Sequence, residues 1–96
     1  MEDNSPLKII VKLKSVIQKD VLDLFGHGRP TQRGVEEVHR YAQERLDLYI
    51  EEMKKASPEL RELWPGKNPL IIYAHISTKT HTYEIEITTR DNPKAL

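Results

Sequence analysis

Nine consecutive residues, Gly26-His27-Gly28-Arg29-Pro30-Thr31-Gln32-Arg33-Gly34, place three glycines, two arginines and a histidine just ahead of a helical pattern. Free backbone N–H groups at a helix start attract anions, and nearby cations add to that attraction. His27, Arg29 and Arg33 are therefore the candidates for an anion or partner contact. The stretch fits neither the Walker pattern nor a Gly-x-Gly-x-x-Gly turn after a strand, so it carries no nucleotide fingerprint. Its plain reading is a connection between two helices.

Three other groupings could carry chemistry. Arg33 and His39 have the spacing of the Arg-x(4–6)-His motif of a class of helical ribonucleases. An offset of six residues turns side chains about 240° apart on a helix, and the rest of that fold is absent. His27, His39, His75 and His81 invite a metal reading, yet no His-Glu-x-x-His and no histidine pair at i,i+4 is present. They read as surface histidines, and no metal or other cofactor is expected. His75, Glu84 and Glu86 could form an acid–base group, but general acid–base work needs a pKa shifted by burial. On an open sheet face, cross-strand pairing of His75 with Glu84 and of Tyr73 with Glu86 is the simpler expectation. Trp64, with Leu60 and Leu63, reads as core or interface, since no second aromatic stands where a base-stacking platform needs one.

These residues must be held by a small scaffold. The chain has 96 residues, which predicts one domain over 1–96 with 1–6 and 91–96 as flexible tails. Fifteen basic residues balance fifteen acidic ones, removing the simplest argument for a nucleic-acid or membrane-surface partner. Charge is uneven along the chain: residues 1–34 hold six basic residues against four acidic ones, and residues 35–65 hold five against eight. The absence of cysteine excludes a disulfide framework, thiolate zinc sites and thiol catalysis. The acidic, polar start is unlike a signal peptide, and no apolar run could span a bilayer. A soluble cytoplasmic protein, not a secreted one, is the expectation.

The long second helix is the clearest element. Val35, Val38, Ala42, Leu46, Tyr49 and Met53 recur at steps of three and four. Ser57-Pro58 restarts a short helical turn with Leu60, Leu63 and Trp64 on its buried side. Residues 69–89 read as a β-hairpin in which Ile76 pairs with Tyr83, Ala74 with Ile85 and Ile72 with Ile87. That register puts Tyr73, His75, Glu84 and Glu86 on the other face. The first element has two readings. Ile9, Val11 and Leu13 alternate with lysines, which predicts a strand over 7–13, followed by a helix over 16–25 opened by Ser15 and Gln18 as a capping box. The rival is one helix over 6–25, with Lys8, Lys12, Ser15, Lys19 and Asp23 along a polar face. The strand reading is preferred because Ile9-Ile10-Val11 is β-branched and a lone hairpin is marginal. The expected class is α+β in the order β-α-α-β-β: two helices and a short helical turn on a small antiparallel sheet with open edges.

In layout, this order resembles the tail-completion or minor tail proteins of long-tailed phages. The features that carry it are a basic first segment, a long helix ending in Ala56-Ser57-Pro58, and a hairpin running into Thr88-Thr89-Arg90-Asp91-Asn92-Pro93-Lys94-Ala95-Leu96. The Thr-Gly those proteins carry after the proline is absent, so no functional residue carries over. The resemblance implies a virion subunit that assembles as a ring at the head–tail junction.

The functional expectation is a non-enzymatic interaction or assembly subunit, a homo-oligomer whose long helix or sheet edges meet other copies. Tyr73, His75, Glu84 and Glu86 are its candidate interface residues. The alternative is nucleic-acid binding through Lys8, Lys12, Lys14, Lys19, Arg29 and Arg33. A second alternative is a small inhibitor or regulator of one protein partner.

Overall fold

The computed structural model describes residues 6–89 in five elements: α1 (Pro6–Phe25), α2 (Gln32–Ala56), α3 (Pro58–Leu63), β1 (Leu70–Ile76) and β2 (Tyr83–Thr89). The class is α+β, but the order is α-α-α-β-β. The strand expected over residues 7–13 is instead the first half of a 20-residue helix. The residues that α1 buries are Ile10, Leu13, Ile17 and Val21, a three- and four-residue spacing that runs through both halves. Val11, which the strand reading turned inward with Ile9 and Leu13, is 62% exposed. Packing of one helical stripe overrides the β-branched preference of Ile9-Ile10-Val11. Pro6, expected in a tail, begins α1; the rest of both expected tails lies outside the described residues.

α2 begins earlier than its apolar pattern, because the Thr31 side-chain oxygen accepts from the Gly34 amide at 3.0 Å and caps the helix. Its buried positions are Val38, Ala42, Leu46 and Ile50, with Val35, Tyr49 and Met53 half-buried beside them. The Ser57 hydroxyl accepts from the Leu60 amide at 3.2 Å, and Pro58 starts α3. Leu60 is buried there, Trp64 is half-buried, and Leu63 is exposed.

α1 and α2 form an antiparallel pair, since Phe25 stacks edge-on with Tyr41 and Asp20 meets Tyr49. α1 packs on β2 and α2 chiefly on β1, so a helical layer covers one face of a two-stranded antiparallel sheet. Ile72, Ile85 and Ile87 fill the space between the layers, with Ile17, Val21, Leu46 and Ile50 opposite. The hairpin register is the expected one, with Ile76 opposite Tyr83, Ala74 opposite Ile85 and Ile72 opposite Ile87.

The sheet edges, expected to be open, are each partly filled from within. On β2, the Gln18 amide donates to the Tyr83 carbonyl at 2.8 Å and accepts from the Ile85 N–H at 2.9 Å. On β1, the Gln43 amide donates to the Leu70 carbonyl at 3.3 Å and accepts from the Ile72 N–H at 2.9 Å. Each glutamine thus bonds a strand as one peptide unit of a neighbouring strand would. Asp47 accepts from Gln43 at 3.3 Å and from Asn68 at 2.7 Å, which fixes the second clamp. Gln18, expected as part of a capping box, has this role instead because no helix begins at Ser15.

Candidate functional site

The side chains named as interface candidates share the sheet face turned away from the helices. Strand alternation puts them there: Tyr73 and His75 interleave with the inward Ile72 and Ala74, and Glu84 and Glu86 with the inward Tyr83, Ile85 and Ile87. His75 stands directly opposite Glu84, and its Nε2 lies 3.3 Å from Glu84 Oε1. The same Nε2 lies 3.8 Å from Oε2 of Glu86, the diagonal neighbour. Lys14 reaches from α1 to Oε1 of Glu86 at 3.0 Å. Tyr73, 46% exposed, flanks the group. The expected pairing of His75 with Glu84 is present. Lys14 was missed, because its approach to β2 exists only if residues 7–13 are helical.

The basic loop does not gather His27, Arg29 and Arg33 at one point. His27 Nε2 bonds the Asp23 carbonyl at 2.8 Å, closing the end of α1. Arg29 lines a shallow depression of about 510 Å³ with Gly28, Pro30, Ile76 and His81, where the loop meets the hairpin turn. Arg33 is exposed on the first turn of α2. The loop itself is anchored by Tyr83, whose hydroxyl accepts from the Thr31 amide at 3.0 Å. Of the six basic residues proposed as a nucleic-acid surface, Lys14 is committed to Glu86, while Lys8, Lys12 and Lys19 are exposed on α1.

The outer surface of the helical pair joins two features that the sequence offered separately, the α1 lysines as a nucleic-acid surface and the long helix as a contact with other copies. Lys8, Lys12, Ser15, Lys19 and Asp23 recur at steps of three and four along the exposed side of α1. On α2 the exposed residues Glu37, Leu48 and Glu52 share the outer side nearer α1, with Lys55 pairing with Glu52 at 3.5 Å. Glu44 and Glu51 turn toward the sheet side, the first beside Tyr73 and the second beside Asn68. Between the two helices runs an apolar groove of about 310 Å³ lined by Leu13, Val16, Tyr49 and Met53, with Lys12 and Glu52 at its rims. Val16 is 43% exposed and Leu48 is 48% exposed. At the groove the two helices are tied by Tyr49, which donates to the Asp20 carboxylate. Arg45 donates to the Tyr41 hydroxyl at 3.2 Å and lies 5.3 Å from that ring's centre. The hydrogen bond to Asp20, reinforced by burial, holds the Tyr49 hydroxyl above the usual tyrosine pKa. The rival single-helix reading of the sequence had placed the α1 lysines on one face; that the strip lies beside an acidic one depends on how the helices pair.

Comparison with known proteins gives no match: no family model, no curated protein and no solved structure corresponds to the chain. Among the described residues, no helix is long and apolar enough to cross a membrane.

Proposed function

We propose that the chain is a non-enzymatic assembly subunit that docks on a second copy of itself through the outer face of α1 and α2. The observation that carries this is an apolar groove between α1 and α2 with Lys12 on its α1 rim and Glu52 on its α2 rim, the exposed Lys8 and Lys19 extending the basic side and Glu37 the acidic one. A second copy turned by a two-fold axis would set the lysines of its α1 against the glutamates of this α2, and the reverse. Such self-complementarity is what an isologous interface needs. The groove and the exposed Val16 and Leu48 supply apolar area at the centre, with charges at the rim to fix register and partner. Pairing through sheet edges, the other route considered, is opposed by the two glutamine clamps. Ring assembly at a phage head–tail junction is the specific setting to which the layout resemblance extends this reading.

The test is the mass of the purified chain in solution, as wild type and as Leu48→Glu. The reading expects a discrete multiple of 11.2 kDa that falls to the monomer in the variant, with helix content unchanged by circular dichroism. A wild-type monomer at all concentrations would refute it.

A further inference from the structure

We propose that His75, Glu84 and Glu86 form a binding site for a divalent transition metal of the zinc class on the outer sheet face. Among the described residues they are the one group of three or more His, Cys, Asp or Glu side chains positioned as ligands, each offering one atom within 4.8 Å of the others. The spacing is close to what coordination needs. Zinc bonds of about 2.0–2.1 Å to nitrogen and oxygen put neighbouring ligand atoms of a tetrahedron about 3.3 Å apart. His75 Nε2 already stands 3.3 Å from Glu84 Oε1 and 3.8 Å from Glu86 Oε2. The longest separation closes by torsion of exposed glutamate side chains, without backbone movement.

The surroundings suit a bound cation in two further ways. Backbone pairing fixes the positions, since His75 and Glu84 are register partners and Glu86 is two residues along the same strand. Lys14 takes only Oε1 of Glu86 at 3.0 Å, leaving Oε2 toward His75. That contact orients the carboxylate in the way outer-shell partners orient metal ligands. With neutral histidine, the two glutamates outweigh Lys14 and leave the group net negative. An imidazole nitrogen among the ligands selects zinc-class ions over Mg²⁺ and Ca²⁺, which favour oxygen. Three protein ligands leave a fourth position for water or for a donor from another molecule.

The experiment is calorimetric titration of the metal-free full chain with ZnCl₂, repeated with MgCl₂, with Co²⁺ absorption in the visible reporting the coordination geometry. One saturable Zn²⁺ site per chain is expected, with no Mg²⁺ binding and a tetrahedral Co²⁺ band. His75→Ala and Glu84→Gln should each weaken Zn²⁺ by at least about tenfold, with circular dichroism unchanged. His39→Ala and His81→Ala should leave the affinity as it is. The proposal is overturned if wild type shows no saturable Zn²⁺ binding, or if that binding survives His75→Ala and Glu84→Gln intact.

Discussion

The sheet edges and the outer helical face treat exposure in opposite ways. At each edge, a glutamine from the covering helix occupies one N–H and one C=O of the outer strand, so the surface most prone to pair with another chain is partly filled from within. On the outer helical face, Val16 and Leu48 remain in solvent at or beside a groove with Lys12 on one rim and Glu52 on the other. A two-stranded sheet is too small to stand alone and needs its helices to cover it. The same helices then carry the surface that is left. The contrast separates two kinds of association, one the fold resists and one it leaves available.

The contrast breaks most severely at the clamps. Replacing both Gln18 and Gln43 by Leu removes partners from four strand backbone groups, a loss of about 2–4 kcal/mol once water at the half-exposed edges is counted. Urea unfolding should show the lower stability, and the variant should gain concentration-dependent association through its edges. Gly34→Ala follows. A Cβ at Gly34 would collide with the Tyr83 hydroxyl and ring, and Tyr83 is buried and lends its carbonyl to Gln18. A loss of about 1–3 kcal/mol is expected from that overpacking, read as a lower urea midpoint.

Tyr49→Phe tests the link beside the groove at a smaller scale. It removes the bond to Asp20, for a loss of about 0.5–1.5 kcal/mol at neutral pH. The sign with pH is fixed by the raised Tyr49 pKa. Its contribution is complete below about pH 10, the ordinary tyrosine value, and disappears as pH rises through the folded-state value. Wild type should therefore lose its advantage over Tyr49→Phe above about pH 10 in paired unfolding curves.

How far these regions could be read from sequence follows from how local their causes are. The hairpin register was legible because two apolar sets of matching parity can meet on one face in few ways, and it placed His75 beside Glu84 correctly. α2 was legible from its long stripe, though Ile50, buried on the same stripe, was passed over. The first half of α1 misled because Ile9, Val11 and Leu13 alternate while the helical set Ile10, Leu13, Ile17 and Val21 overlaps them. Only the third dimension decides between those patterns. Gln18 and Gln43 have no local signature, since their partners lie 65 and 27 residues away at Tyr83 and Leu70. Lys14 was missed for the same reason, and the complementary strips depend on which helix faces lie side by side.

The smallest expected effect on stability gives the most direct test. Lys12 and Lys19 are exposed, so the variant Lys12→Glu/Lys19→Glu should stay within about 1 kcal/mol of wild type. Light scattering on a sizing column then reads association alone. A wild-type oligomer is expected, with a monomer for the double lysine variant and recovery of the oligomer when that variant also carries Glu37→Lys and Glu52→Lys. An oligomer of unchanged mass in the double lysine variant would rule out docking through the outer helical face.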